Sequence, residues 1–260
     1  MKINDKDIAD LGLFLLEGHS LPSPQITNKR VSVPNRPGAY HMGSEVGVRN
    51  GIIPLGILEQ SAIETQRKLR EFYKECFDEY GRTKPLKIVY PFELDRYYIG
   101  RVEGMIDPIR QHEYTNMMIN IVIDDPFSYS HVQAHEINWD STIVTFDDDY
   151  SFDTVAPHDE HITQNQTVEI FVNGYAFRPK ITLNGQGTNV KFSMNGKSFT
   201  VDLNGEMVID GSNYTVTKNG VNAFDEVDDF LELLPGENQL SISGTNMDFI
   251  LSIPFQDRYM

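Results

Sequence analysis

The sequence predicts a mainly β protein with one prominent helix, divided into a first half of mixed grammar and an all-β second half. Three observations carry this. The stretch FSMNGKSFTVDLNGEMVIDGSNYTVTKNGVN (Phe192 to Asn222) holds three Asn-Gly pairs and one Asp-Gly. Such dipeptides suit two-residue hairpin turns, because Gly adopts positive φ freely and Asn or Asp tolerates it. Strand-like runs separated by turn signals recur roughly every 8 to 12 residues in the second half, the spacing of an all-β sandwich or barrel. Before them lies a single convincing amphipathic helix pattern.

In chain order, IIPLGIL (Ile52 to Leu58) reads as a strand leading straight into that helix. SAIE opens the helix: Ser61 and Glu64 have the spacing of a capping box, hydroxyl on the Glu64 amide and carboxylate reaching back. Apolar side chains follow at Leu69, Phe72, Tyr73, Cys76, Phe77 and Tyr80, and Gly81 is the expected stop. The opposite face, with Arg67, Lys68, Arg70, Lys74, Glu75, Asp78 and Glu79, reads as solvated. Strands are expected at LKIVY (Leu86 to Tyr90), YYIGRVEGM (Tyr97 to Met105) and MMINIVI (Met117 to Ile123). The last is apolar on almost every residue, which predicts cover on both faces. IDDPF then closes the half, since Pro126 cannot donate a ladder hydrogen bond. The domains expected are 1–135 and 136–260, with 128–166 as a partly polar connector.

The second half offers short strands at TVEIFV, PKITL, NVKFSM, SFTVDL, EMVID, NYTVT, NQLSI and DFILSIPF. The Asn-Gly pairs at 173, 184, 195, 204 and 219 are read as punctuation between them, and Gly185-Gln-Gly187 as a turn.

Composition narrows the function classes. The chain has 260 residues, 40% apolar and 23% charged, which suits a globular protein of two ordinary domains. No run reaches the roughly 18 apolar residues of a membrane span, and MKINDKDIADLGLFLL carries acidic residues where a signal peptide carries positive charge. The lone cysteine, Cys76, excludes an internal disulfide framework and a multi-cysteine zinc site. With 38 acidic against 22 basic side chains, the net charge of -16 opposes stable binding to phosphate backbones.

Candidate chemistry is sparse. His131 and His135 stand one helical turn apart beside Glu136, followed by His158, Asp159, Glu160 and His161. A zinc hydrolase would need a Glu between the first two histidines, so the cluster reads as loop histidines on an acidic surface. Asp147 to Asp149 and DEVDD (Asp225 to Asp229) lack the alternating ligands and turn glycine of a calcium loop. GxSxG, GxxxxGK[ST] and GxGxxG are missing from the sequence. Cys76 lies on the buried helix stripe and behaves as a small hydrophobe. Trp139 reads as a packing anchor, and Tyr175, Phe177, Phe192 and Phe199 suit a β core as well as a sugar platform. No catalytic, cofactor-binding or metal-ligating residue is assigned.

A longer pattern is more specific. VSVPNRPGAYH (Val31 to His41) is a strand ending in a Pro, an Arg, a Pro-Gly turn and an aromatic; YYIGRVEGMID (Tyr97 to Asp107) and IDDPFSYS follow. Then come NGYAFRPKITLNGQGTNVKFSMNG (Asn173 to Gly196) and LLPGENQLSIS (Leu233 to Ser243). In this order the segments resemble the distal tail protein family of long non-contractile-tailed phages and their prophages. Asn35 stands where that family often has Gly and Pro37 where it often has Asp, and the end reads Gln256-Asp257-Arg258-Tyr259 in place of a basic, Trp-containing strand.

The resemblance implies a structural protein without catalysis or cofactor. Its N-terminal belt domain, a β-sandwich with helix and hairpin, would form a homo-hexameric ring, and its C-terminal domain would be a galectin-like or carbohydrate-module-like β-sandwich on the periphery. The ring would join the tail-tube protein to the tail fibre or tail-associated protein in the virion, and the outer domain would hold receptor-binding proteins. The ring contacts are not assigned to residues. An acidic lumen would then let the genome pass without sticking. The rival reading is a carbohydrate-binding β-sandwich module acting in host cell-surface adhesion.

Overall fold

The computed structural model describes residues 1–137 and 155–260. They fall into two compact units, Met1–Tyr129 with Met260, and Ser130–Tyr259. In the first unit the strands are β1 (Lys2–Ile3), β2 (Lys6–Asp7), β3 (Phe14–Leu15), β4 (Ile26–Val31), β5 (Tyr40–Val46) and β6 (Arg49–Leu58). After helix α1 (Ala62–Cys76) come β7 (Leu86–Tyr90), β8 (Glu93–Glu103), β9 (Ile109–Gln111) and β10 (Tyr114–Ile123). The boundary between the units falls within β11 (Ser128–Ser130).

The main sheet of the first unit runs β2-β1-β7-β8-β10-β6-β3. Its spine is the antiparallel pairing of β6 with β10, in register from Arg49 opposite Ile123 to Leu58 opposite Tyr114. Ile53, Leu55 and Ile57 of β6 and Met117, Ile119, Ile121 and Ile123 of β10 share one core with Leu69, Phe72 and Cys76 of α1. Each such side chain contributes about 1.5–3 kcal/mol on full burial. The expectation that MMINIVI is covered on both faces is corrected: β10 alternates, with Met118 59% exposed and Asn120 outward. All three strands that pair with β10 are antiparallel to it, and an antiparallel sheet needs only one covered face.

The helix starts where expected, with the Glu64 amide donating to Ser61 Oγ at 3.4 Å. Its carboxylate does not close a capping box; it accepts from Arg67 Nε at 2.7 Å. The end comes earlier than Gly81, at Cys76, with Phe77 extended as the C-cap. Asp78 explains this: its Oδ1 accepts from the amides of Tyr80 (2.9 Å) and Arg82 (2.8 Å), a side-chain turn that competes with helix. Tyr80 consequently leaves the apolar stripe and is 76% exposed.

The second unit contains β12 (Glu160–Ile162), β13 (Gln166–Val172), β14 (Lys180–Met194), β15 (Lys197–Asp210), β16 (Thr215–Lys218), β17 (Val221–Asn222), β18 (Gly236–Ser252) and β19 (Arg258–Tyr259). The sheet runs β12-β18-β14-β15-β16-β17, with β13 also on β18. Side chains from β12, β13, β14, β15, β16 and β18 meet in one core that includes Phe192, Phe199 and Phe249, so the sheet curls over its own interior.

Long strands replace several of the short ones expected. Asn195-Gly196 does close a two-residue hairpin between Met194 and Lys197, and Asn219-Gly220 another between Lys218 and Val221. Asn184-Gly185 and Asn204-Gly205 instead lie inside β14 and β15, with Gly185 facing Gly205 in the ladder. Gly185 has φ +145°, and a Cβ there would sit 2.3 Å from the Asp248 carbonyl oxygen. The glycine bends a strand against a close neighbour; it does not reverse it. The Gly185-Gln-Gly187 segment is likewise strand, with register shifts between Gln186 and Thr188 and between Gly187 and Val190.

LPGEN has a physical basis in Asn238, a buried polar residue. Its Oδ1 accepts from the Leu234 amide (2.9 Å) and from Asn195 Nδ2 (2.6 Å), and its Nδ2 donates to the carbonyls of Leu234 (2.8 Å) and Gly236 (2.9 Å). One carboxamide thereby holds the turn before β18 and ties it to the β14–β15 hairpin.

Candidate assembly surface

The first unit carries a feature that its core does not use. Strands β4 and β5 form a separate two-stranded sheet. Every residue of β4 is exposed, and so is every residue of β5 except Gly43. The ladder pairs Ile26 with Val46 at the base and Val31 with Tyr40 near the tip, with a register shift between Lys29 and Arg30. Asn28 Oδ1 accepts from Ser44 Oγ at 2.6 Å, and Lys29 is ion-paired with Glu45.

The connecting loop holds its own shape. Asn35 has φ +63° and Gly38 φ +85°, the Arg36 amide donates to the Val33 carbonyl at 3.2 Å, and the Arg36 guanidinium lies 4.3 Å from the Tyr40 ring centroid. A hollow of about 110 Å³ is lined by Val33, Arg36, Pro37, Gly38, Ala39 and Tyr40. At the base, Gly47 N donates to Gln25 O (2.7 Å) and Gln25 N to Val48 O (3.2 Å), and the chain then enters β6.

Two properties mark this arm as an interaction element. Ile26, Val31, Val33, Tyr40, Met42, Val46 and Val48 are all exposed, whereas an isolated hairpin is at best marginally stable in water. Residues 26–48 carry Lys29, Arg30 and Arg36 against Glu45 alone, so the arm is basic in a chain of net charge -16. VSVPNRPGAYH was read as strand, turn and aromatic; the turn and Tyr40 fall where expected, but strand β4 ends at Val31, before Ser32 and Val33. That the hairpin stands clear of the core was not read from those residues; the reversal of charge sign over residues 26–48 is the sequence signal that could have found it.

The other candidate residues are placed as follows. Rings of His135 and His158 stack with centroids 3.9 Å apart, and His161 Nε2 lies 2.7 Å from Asp248 Oδ1. Burial, reinforced by His158, holds His135 below the ordinary imidazole range. Among the described residues, no group of three or more His, Cys, Asp and Glu side chains is placed to hold a metal ion. In DEVDD, Glu226 pairs with Lys218 (2.7 Å) and Asp229 with Lys197 (3.4 Å). Trp139 and Asp147 to Asp149 lie outside the described residues. Cys76 is buried, and that burial pushes its thiol up to about 12, far from a reactive thiolate. Phe192 and Phe199 stack in the core at 5.0 Å, Phe177 packs against it, and Tyr175 is exposed. Among the described residues, no helix is long and apolar enough to cross a membrane.

A β-rich body in two units with a free basic arm defines a protein built for assembly. Comparison with known proteins makes this specific. Residues 6–123 match the phage tail protein RIFT-related domain, and residues 165–259 match the siphovirus-type tail component, C-terminal domain. The chain belongs to the siphovirus distal tail (Dit) family and is a structural component of the phage tail. Among solved structures it is similar to the SPP1 Dit (gp 19.1) protein, described as a paradigm of hub adsorption apparatus in phages infecting Gram-positive hosts. That match has a TM-score of 0.68 at 14% identity and covers 99% of this chain and 98% of the other. A chain of the phage p2 baseplate in its activated conformation with Sr matches with a TM-score of 0.44 at 9% identity, over 96% of this chain and 92% of the other. No curated protein sequence matches the chain.

Proposed function

We propose that this tail protein forms a hexameric ring through its first unit, joining the tail tube to the tail fibre or tail-associated protein, with the second unit on the periphery to receive receptor-binding proteins. The role is structural, without catalysis. The observation that carries this reading is the β4–β5 arm, which exposes apolar cross-strand pairs and reverses the sign of the chain's charge. An arm and the surface that receives it are different patches, so copies associate head to tail, and such an interface closes into a ring when its rotation permits. The SPP1 Dit protein, described as a hub, has the same fold.

The excess acid lies outside residues 26–48, and a lumen lined by it would repel genome DNA. Tight DNA binding by the assembled ring at moderate salt would count against that part of the reading. A free saccharide-binding module gains no support from Phe192 and Phe199, which lie in the core.

The test is light scattering coupled to size exclusion, with negative-stain imaging, on the wild type and on the pair Ile26→Lys, Val46→Lys. Six-fold rings are expected for the wild type. The double variant should dissociate while keeping its circular dichroism and melting temperature, because neither side chain enters the core. Rings indifferent to both substitutions would sink the arm-mediated model.

A further inference from the structure

The second unit carries a distinct surface at the β17 end of its sheet. β17 is the last strand on the sheet path among the described residues. Val221, in this two-residue strand, is 69% exposed, and Tyr214 before β16 and Phe224 after β17 are 52% and 47% exposed. They are not loose. Tyr214 meets Phe230 edge-on at 5.3 Å, and Phe224 meets it at 6.1 Å, while Phe230 is itself buried in the core. Arg178 lies over the Tyr214 ring at 5.3 Å and donates from Nη1 to its hydroxyl at 2.5 Å. The two exposed aromatics are thus anchored from below and from the side, as a preformed contact surface requires.

The rim is acidic. Asp225, Glu226, Asp228, Asp229 and Glu232 follow Phe224 within eight residues. Lys218 and Lys197 neutralise Glu226 and Asp229. Asp225, Asp228 and Glu232 have no ion pair among the described residues.

We infer that this edge docks an extended protein segment whose side chains alternate between apolar and cationic. The edge strand offers backbone groups to a further strand, Val221, Tyr214 and Phe224 cover its apolar side chains, and the unpaired carboxylates select its charge. Polyanions are repelled by the same carboxylates, and a neutral saccharide gains nothing from their charge. The inference rests on the second unit being the docking module of the tail protein, and it names the surface and the chemistry of the segment.

The experiment uses the full chain and two fluorescent peptides, one alternating Leu and Lys, the other alternating Leu and Glu, read by anisotropy. The Leu/Lys peptide should bind at least about tenfold more tightly, with affinity falling as salt rises. Phe224→Ser should weaken it by about tenfold, as expected for loss of an aromatic anchor, and Asp225→Lys with Asp228→Lys should abolish the preference between peptides. Because the whole chain is acidic, the Phe224→Ser arm separates docking from bulk attraction. Equal binding of both peptides, indifference to Phe224→Ser, or occupation of the surface by a cell-wall oligosaccharide in place of the peptide would each overturn the inference. Anisotropy reads binding in monomer or ring alike, so a chain that binds the peptide without forming rings would defeat the hub reading alone.

Discussion

At the scale of single residues, the motif glycines have steric causes. Gly100, in YYIG, faces β10 so closely that a Cβ would lie 2.4 Å from Ile121 Cγ2. Gly185 couples a similar approach, to the Asp248 carbonyl, with a φ that L residues rarely adopt. Gly185→Ala is therefore expected to destabilise the second unit by about 1–3 kcal/mol, measured by chemical denaturation. Asp257 is a different case. It is buried, its Oδ1 accepts from the Asn173 amide at 3.0 Å, and its Oδ2 has no hydrogen bond. Burial raises its carboxyl above the ordinary aspartate range, against the opposing pull of hydrogen bonding from Asn173 and the Gly174 amide. A raised folded-state value means the charged form costs stability above it; the cost fades as pH falls through it and is gone below the unfolded value. Asp257→Asn should therefore raise the melting temperature at about pH 8 and do progressively less toward about pH 4. An equal effect at both ends would show that charge is not the cause.

At the scale of elements, the helix shows which signals act locally. Ser61 caps α1 as its spacing predicts, and Ser61→Ala should cost about 1 kcal/mol or less, given the long 3.4 Å bond. The end of α1 was misplaced because Gly81 is the louder stop signal, while Asp78 ends the helix through bonds to two later amides. In β10 the apolar Met118 and Val122 imitate a doubly covered strand, yet the burial alternates. Asn-Gly proved ambiguous for a related reason: at 195 and 219 it turns the chain, at 184 and 204 it lets a long strand bend. Local chemistry permits both, and only the position of a neighbouring strand chooses between them.

At the scale of the molecule, charge is the organising quantity. In the proposed ring a basic arm would meet an acidic body, making the contact partly electrostatic, and such contacts are screened at distances beyond about 8 Å at physiological ionic strength. Raising salt from about 0.05 M to about 1 M should lower the apparent mass of the proposed ring in light scattering unless the apolar pairs of the arm dominate. A mass that holds in salt but collapses with Ile26→Lys, Val46→Lys would assign the contact to those pairs instead.

The mainly β architecture, helix α1 and its start, two of the hairpin turns and the family were legible in the amino-acid sequence, because these rest on local dihedral preferences, side-chain periodicity and the order of motifs. Its ordered motifs extended across both units. Packing across the chain was needed to show that β4 and β5 stand apart from the core, that Phe192 and Phe199 are interior and that Tyr214 and Phe224 are not. Burial is a relation between distant parts of the chain: an apolar strand reads the same whether its cover comes from its own core or must come from another molecule.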